Sequence, residues 1–348
     1  MFAADYYGAP HQNVLNAIGS LASNWGRGAY GGDELTRVAQ HAVRERFGLC
    51  DDAGVFFVPT GTAGNLLATA TLVPHPWQAL MCVENAHMTK YEAGGPESRG
   101  HKIIPLPHKH GKIDILRARG IVHAMRQDTH QVNPGMLAVA NATELGTAYK
   151  QKELYAFGQF ATDCNIRLHM DGSRLGYAMM ATELPEIFRS YGFDTLMLGL
   201  TKVGALDVDV LIVADPVLAR TVAVYYHKQC GYTRARMQGA AVQVSAMLQD
   251  DLWLKNASRA NQMAVYLRDT LWKRLRVDAA YPVETNALFV KVPPKVAQAL
   301  KEGGWAYIWT DPWENDDGCV VRFMTSWATT DEHVDELRAF LEQEMFHK

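Results

Sequence analysis

The chain has 348 residues, of which 48% are hydrophobic and 20% charged, and its formal net charge is −3 with a pI near 6.5. This is ordinary globular composition, without the basic excess that binds nucleic acid or an acidic membrane surface. The five scattered cysteines include no CxxC pair, so the sequence predicts neither a disulfide framework nor a metal site and favours a reducing, cytoplasmic location. The first residues lack a signal-peptide pattern, and no stretch is apolar enough to span a bilayer.

The first 250 residues alternate between apolar strands and helices. We predict an irregular arm that ends in a Gly-rich loop at 24–32, followed by a helix that Asp33 caps. Strands are then expected at 54–60, 79–85, 101–107, 136–143, 166–171, 195–200 and 207–215, with helices between them that include 64–73, 121–127 and 153–164. This alternation is typical of an α/β fold with a mainly parallel sheet covered by helices.

The pattern changes after residue 216. Helices at 217–228 and 251–275 precede three predicted strands at 286–292, 305–310 and 319–327 and a final helix at 331–346. We therefore predict a large domain at 1–250 and a smaller α+β domain at 251–348. Trp305, Tyr307 and Trp309 alternate at strand period, which favours core or interface packing over a ligand cage.

Three features follow predicted strands, where an open α/β sheet binds its ligands. The small residues of 60–65 open a helix and suit a phosphate, although tight turns use the same residues. Asp171 ends a strand and could face a pyridine nitrogen or simply cap a helix. Lys202 lies on a tight loop between buried strands, where a desolvated amine becomes a nucleophile, whereas an ordinary loop lysine stays on the surface.

The order of these features resembles the fold-type-I pyridoxal-phosphate (PLP) enzymes, and within them the L-threonine aldolases, particularly the low-specificity kind. The resemblance covers nearly the whole chain. It rests on seven motifs in the family's order: YGGDELT (30–36), VPTGTAGN (58–65), AHMTKYEAGGPE (86–97), NATELGTAY (141–149), LHMDGSR (168–174), GLTKVG (199–204) and VVRFMTSWATT (320–330).

The resemblance implies a set of cofactor-binding residues. Lys202 would hold PLP as a Schiff base, Asp171 would pair with its pyridine nitrogen, and His87 would stack on its ring. The others would be Gly61 and Thr62 at the phosphate, together with Thr201 and Arg174. Without the resemblance, His87 would be interpreted as an ordinary core histidine.

The resemblance also implies the substrate-binding residues. Arg322 would bind the α-carboxylate by a bidentate fork, with Arg174 nearby. His130 would lie near the substrate hydroxyl as the base, and the loop around Tyr30 would complete the site of a second subunit in a homodimer or homotetramer. Taken alone, His130 is a solvent-exposed loop histidine and Arg322 a strand-edge arginine.

The chain departs from the family's pattern at three places. Ala4 stands where the family's arm usually has serine, and Tyr6 and Tyr7 replace smaller residues. Gln238 takes the place of an arginine that helps to hold phosphate, with Arg234 or Arg236 as candidate replacements.

The implied reaction is retro-aldol cleavage of an L-β-hydroxy-α-amino acid, of the L-threonine or L-allo-threonine class, to glycine and an aldehyde. Racemisation, β-elimination and transaldolation use the same carbanion and remain alternatives, and a cofactor-binding protein without turnover is a third class.

Overall fold

A computed structural model describes residues 1–25, 27–310 and 318–346. Twelve strands in these residues are numbered in chain order: β1 Gly54–Val58, β2 Gln78–Val83, β3 Lys102–Leu106, β4 His108–Lys109, β5 Lys112–Ile113, β6 Asn133–Ala140, β7 Arg167–Gly172, β8 Thr195–Leu198, β9 Asp209–Val213, β10 Ala287–Val292, β11 Tyr307–Thr310 and β12 Cys319–Met324. In this part of the chain, no helix combines the length and the apolar character needed to cross a bilayer.

Seven strands form the central sheet, in the order β1-β9-β8-β7-β6-β2-β3. The pairs between β8, β7, β6, β2 and β3 are all parallel, whereas β9 runs antiparallel to both of its neighbours. Every residue of β8 and β9 is buried, as expected for strands covered by helices on both faces. The predicted mainly parallel α/β fold is confirmed.

The helices in the described residues are α1 Gln12–Ser20, α2 Glu34–Arg46, α3 Gly61–Leu72, α4 His87–Lys90, α5 Ile115–Arg126, α6 Gln151–Cys164, α7 Leu175–Ala178, α8 Glu186–Arg189, α9 Pro216–Leu218, α10 Val224–Gln229, α11 Gln238–Leu248, α12 Leu252–Leu275, α13 Pro294–Glu302 and α14 Asp331–Phe346. Asp33 caps α2 as predicted, because its Oδ1 accepts a hydrogen bond from the Thr36 amide at 2.8 Å. The prediction of an irregular arm was wrong for residues Gln12–Ser20, which form the helix α1 and bury Val14.

The C-terminal strands form a separate antiparallel sheet in the order β10-β12-β11. Its buried face packs on α12, α13 and α14 around Leu267, Leu300 and Leu337. Phe2 of the N-terminal arm is fully buried in the same cluster, and its carbonyl oxygen accepts a hydrogen bond from the Met324 amide at 2.7 Å. The arm is thereby tied to β12, which carries Arg322. The domain boundary predicted after residue 250 stays a prediction.

Candidate active site

A cleft of about 210 Å³ lies at the carboxyl ends of the parallel strands. It gathers residues that are far apart in sequence and that follow β1, β2, β7 and β8. Among its lining residues are Tyr6, Gly61, Thr62, His87, Ser173 and Lys202. Two of the three predicted features, the turn at 60–65 and Lys202, therefore line one cleft, and Asp171 adjoins it through its hydrogen-bond partner Ser173.

The first turn of α3 forms one end of this cleft. Thr60 caps the helix, since its Oγ1 accepts a hydrogen bond from the Ala63 amide at 3.1 Å. The first-turn amides of Gly61 and Thr62 precede any helical carbonyl that could accept them, so they stay available to an anion. A Cβ at Gly61 would meet Ser173 Oγ at 2.9 Å, and one at Gly64 would meet Met197 Cγ at 2.4 Å. Glycine is thus required for the close approach of this turn to β7 and β8.

Asp171 is a buried carboxylate at the end of β7. Its Oδ1 accepts hydrogen bonds from the Ser173 amide at 3.0 Å and the Ser173 hydroxyl at 2.7 Å, and its Oδ2 accepts one from Asn65 Nδ2 at 3.0 Å. Burial disfavours the charge, but these hydrogen bonds outweigh it, and the pKa of Asp171 lies below its usual value. Asp171 does not cap α7, because that helix begins at Leu175 and its N-cap residue is Arg174.

Lys202 lies on the tight connection between β8 and β9. Asp209 organises this connection, because its buried Oδ1 accepts hydrogen bonds from the amides of Leu200 at 2.8 Å and Thr201 at 3.0 Å. The lysine Nζ lies 5.5 Å from the centre of the Tyr6 ring. Tyr6, one of the departures from the family's pattern, is thus a neighbour of the predicted cofactor lysine.

A chain of buried polar groups joins Asp171 to His87. Asn65 donates both of its amide hydrogens to carboxylates, at 3.0 Å to Asp171 and at 2.8 Å to Glu92 Oε1, and its Oδ1 accepts from His169 Nε2 at 3.0 Å. Glu92 Oε1 in turn lies 3.0 Å from His87 Nδ1. Asn65 and Glu92 were missed by the sequence reasoning, although both lie inside the motifs that carry the resemblance.

The His87–Glu92 pair keeps a proton to higher pH than an isolated histidine would. The hydrogen bond to Glu92 raises the pKa of His87, against the opposing effect of burial. Burial in turn raises the pKa of Glu92, whose side chain is fully enclosed. His87 is only partly exposed and lines the cleft, so its imidazole can take up or release a proton inside the cleft.

Two arginines contact the N-terminal arm, and they have different partners. Arg174 Nε donates to Asp5 Oδ2 at 2.9 Å, and Arg174 Nη1 lies 3.7 Å from Glu144 Oε2. Arg322 has a buried Nε without a hydrogen-bond partner among the described residues, and its Nη2 donates to the Ala3 carbonyl at 3.4 Å. Burial and the neighbouring charge of Arg174 lower the pKa of Arg322. Arg322 is therefore better able than Arg174 to bind an incoming carboxylate.

Tyr30 and His130 do not line the cleft of their own chain. Tyr30 is 61% exposed, and its ring lies 4.9 Å from Lys228 Nζ. His130 is exposed and precedes β6, at the opposite edge of the sheet from Asp171. The prediction that His130 lies near the substrate hydroxyl thus does not hold within a single chain, because the length of a strand separates the two.

Gln238 is hydrogen-bonded to the Gly-rich loop. It is buried, and its Nε2 donates to the Gly28 carbonyl at 3.0 Å. Of the two candidate replacements for the family's phosphate arginine, Arg236 lies 5.5 Å from the Trp25 ring and Arg234 lies 3.9 Å from Asp207.

The cleft fits PLP. The first-turn amides of Gly61 and Thr62 suit a phosphate, the ionised Asp171 suits a protonated ring nitrogen, and Lys202 supplies an amine in the same cleft.

Comparisons with known proteins agree with this fit. The sequence profile of the beta-eliminating lyases matches residues 2–294. The low specificity L-threonine aldolase of Pseudomonas aeruginosa is 32% identical over 97% of this chain and 95% of its own length, and that of Pseudomonas sp. (strain NCIMB 10558) is 30% identical over 97% and 96%. The structure of the Leishmania major threonine aldolase superposes with a TM-score of 0.89 at 26% identity, over 98% of both chains. The chain belongs to the beta-eliminating lyase family of PLP-dependent enzymes and, within it, to the low-specificity L-threonine aldolases.

Proposed function

We propose that the chain cleaves the Cα–Cβ bond of an L-β-hydroxy-α-amino acid of the threonine and allo-threonine class, releasing glycine and an aldehyde. The observation that carries the proposal is a cleft lined by Lys202 and by Ser173, which hydrogen-bonds to the buried Asp171. The similar proteins of the two Pseudomonas strains are named low specificity L-threonine aldolases. When bound, PLP supplies an electron sink for the bond that breaks.

The cofactor would be held at three points. The first-turn amides of Gly61 and Thr62 would bind its phosphate, Lys202 would bond to its aldehyde carbon, and Asp171 would keep its ring nitrogen protonated. The lowered pKa of Asp171 supports this assignment, because only an ionised carboxylate stabilises the pyridinium charge. His87 would contact the ring face from the same cleft.

The substrate would be oriented by its carboxylate. We assign this carboxylate to Arg322, whose planar fork can bind two oxygens at once. Arg174 acts as a positioning residue, since Asp5 and Glu144 already balance its charge. Asp5 belongs to the arm that packs beside Arg322, so the arm contributes to the same region.

The hydroxyl proton needs an acceptor. His87 is the titratable histidine of the chain's own cleft, and Glu92 at its Nδ1 leaves Nε2 as the ring atom that can hold or release a proton towards a ligand. A contribution from His130 would have to come from another subunit. We propose a homodimer or homotetramer in which the loops around Tyr30 and His130 complete neighbouring sites, and a cytoplasmic location.

Product analysis of the purified holoenzyme tests the proposal. L-Threonine and L-allo-threonine should yield equal amounts of glycine and acetaldehyde, and Lys202→Ala should abolish both products. Lys152→Ala, which changes an exposed lysine on α6, serves as the matched control. Inversion of an amino acid without cleavage would indicate a racemase, 2-oxo acid plus ammonia would indicate an eliminating lyase, and transfer of the glycyl unit to a second aldehyde without net glycine would indicate a transaldolase.

A further inference from the structure

A fully buried histidine, His169, lies two residues before Asp171 on β7. Side chains alternate between the two faces of a sheet along a strand, so His169 and Asp171 project from the same face. Asn65 of α3 contacts both, since its Oδ1 lies 3.0 Å from His169 Nε2 and its Nδ2 lies 3.0 Å from Asp171 Oδ2. We propose that His169 is a positioning residue of the cofactor site, which orients the Asn65 amide and through it the Asp171 carboxylate. This inference rests on the role proposed above for Asp171.

The two carboxylates around Asn65 determine which way its amide faces. Asn65 Nδ2 lies 3.0 Å from Asp171 Oδ2 and 2.8 Å from Glu92 Oε1. Because an ionised carboxylate only accepts hydrogen bonds, the amide has to present its two hydrogens to this pair. The opposite orientation would place Asn65 Oδ1 against two acceptors in a buried site. The Oδ1 atom therefore faces His169, where a hydrogen on Nε2 satisfies it.

The protonation state of His169 follows from its burial and from its second partner. Burial lowers the pKa of His169 to about 4, so the ring is neutral at neutral pH and has one donor and one acceptor. With the hydrogen on Nε2, the acceptor is Nδ1, which lies 2.9 Å from the hydroxyl oxygen of Thr195. Thr195 then donates to His169, His169 to Asn65, and Asn65 to Asp171. These four residues form one directed series of hydrogen bonds.

This series fixes the carboxylate that would face the cofactor's ring nitrogen. The Ser173 hydroxyl donates to Oδ1 of Asp171 and Asn65 donates to Oδ2, so both carboxylate oxygens are held. Loss of the Nε2 hydrogen of His169 would deprive the buried Asn65 Oδ1 of its donor and leave the amide free to turn away from Asp171. His169 has no exposed surface, so its influence on the cofactor has to pass through Asn65.

Two amide substitutions separate the roles of the two ring nitrogens of His169. The amide of glutamine ends near the position of Nε2 and can still donate to Asn65, whereas the amide of asparagine ends near Nδ1 and reaches only towards Thr195. His169→Asn should raise the dissociation constant of the apoenzyme for PLP by about tenfold, the scale of an unsatisfied buried acceptor, and His169→Gln should stay within about threefold of the wild type. Equal affinities of the two variants, or weaker binding by His169→Gln, would overturn the proposal.

His227→Asn is the matched control. His227 is also buried, and both of its ring nitrogens are hydrogen-bonded, but neither bond leads to Asp171. The control variant should therefore bind PLP as the wild type does. A loss as large as that of His169→Asn would show a general effect of removing a buried imidazole and would overturn the proposal.

A double-mutant cycle shows whether His169 acts through Asp171. Asp171→Asn removes the charge opposite the pyridinium and should itself weaken PLP binding by at least about tenfold. Adding His169→Asn should then cost less than about twofold more, because residues that act through one another are not additive. A double variant weakened by the full product of both effects would leave His169 as a core residue and overturn the proposal.

The cycle also separates this inference from the proposals on which it rests. PLP binding is measured without substrate, so its outcome does not depend on which reaction the enzyme catalyses. Unchanged PLP binding by Asp171→Asn would refute the role of Asp171 and this inference together. Weaker binding by Asp171→Asn but not by His169→Asn would refute the role of His169 alone.

The tautomer of His169 can be observed in the wild-type holoenzyme, which needs no variant to fold. In protein labelled with ¹⁵N-histidine, the His169 signals, assigned by their absence from His169→Gln or by sequential NMR assignment, should report a neutral ring with its hydrogen on Nε2 at neutral pH. A hydrogen on Nδ1, or a charged ring, would mean that the Asn65 amide is not oriented by His169 and would overturn the proposal.

Discussion

Arg322→Ala is expected to remove the anchor of the substrate carboxylate. The guanidinium projects from β12 and has a buried Nε without a hydrogen-bond partner among the described residues. Arg174, the other nearby cation, donates to Asp5 at 2.9 Å and lies 3.7 Å from Glu144. Because two carboxylates already balance Arg174, it is a poor replacement for Arg322.

The size of the effect follows from the partly desolvated position of Arg322. Truncating one partner of a buried, charge-assisted pair costs about 2–5 kcal/mol. At about 1.4 kcal/mol for each factor of ten, this lowers kcat/KM by about 30-fold to about 4,000-fold, and we expect at least about 10²-fold. The loss should appear in kcat as well as KM, because the carboxylate also sets which bond of Cα is activated. Arg322→Lys should recover little, since an ammonium group cannot reproduce the planar fork.

Steady-state aldehyde release from L-threonine and L-allo-threonine measures the effect. Arg268→Ala, which removes a half-exposed arginine paired with Asp269 on α12, controls for the loss of a positive charge. Retention of most activity by Arg322→Ala would refute the reasoning and assign the carboxylate to Arg174. Ala4→Ser should be tolerated, because it restores the residue that the family usually has on the arm.

Three further changes test the cofactor site. Lys202→Ala should abolish the absorbance of the imine between the lysine and the cofactor, and borohydride reduction of the wild type should fix the cofactor to a peptide that contains Lys202; labelling of another lysine would contradict the assignment. Asp171→Asn should keep the fold, checked by circular dichroism, but lower kcat by roughly 10²–10³, the usual scale for losing one electrostatic partner; a near wild-type kcat would leave Asp171 as a turn residue only. Glu92→Gln should lower the pKa of His87, because the hydrogen bond that raises it is weakened while burial, which lowers it, remains. The limb of the pH–rate profile that reports His87 should move to lower pH, and an NMR titration of the imidazole that shows no shift would refute the pairing.

The sequence predicted the parts of the site that are local in the chain. Gly61, Asp171 and Lys202 each lie at the end of a strand or within a few residues of it, so recognising the strand places the side chain at the correct edge of the sheet. The resemblance of the surrounding motifs to those of the family then predicted the chemical roles of these residues. The strands themselves were predictable because their apolar runs are short, buried and separated by helices.

The partners of these residues could not be predicted, because they depend on packing between distant segments. Asn65 and Asp171 are 106 residues apart, and Arg174 and Asp5 are 169 apart. Position in the fold also decides the role of the aromatic residues near β11. Trp305 packs against Phe2 as the prediction of core packing expects, whereas Tyr307 is half exposed beside Arg322.

The position of His130 leads to a test of how subunits share the site. His130 precedes β6, and the eight residues of that strand span about 25 Å to the edge where Asp171 lies. A histidine at that distance cannot reach a proton in the cleft of its own chain, so any catalytic role requires the His130 of a neighbouring subunit.

His130→Ala and Lys202→Ala should then each have low activity alone but recover activity when the two are mixed, dissociated and reassembled. In random dimers about a quarter of the sites would combine an intact Lys202 with an intact His130 from the other chain. Full activity of His130→Ala alone would remove His130 from the site, and a failure of mixing to restore activity would contradict sharing between subunits.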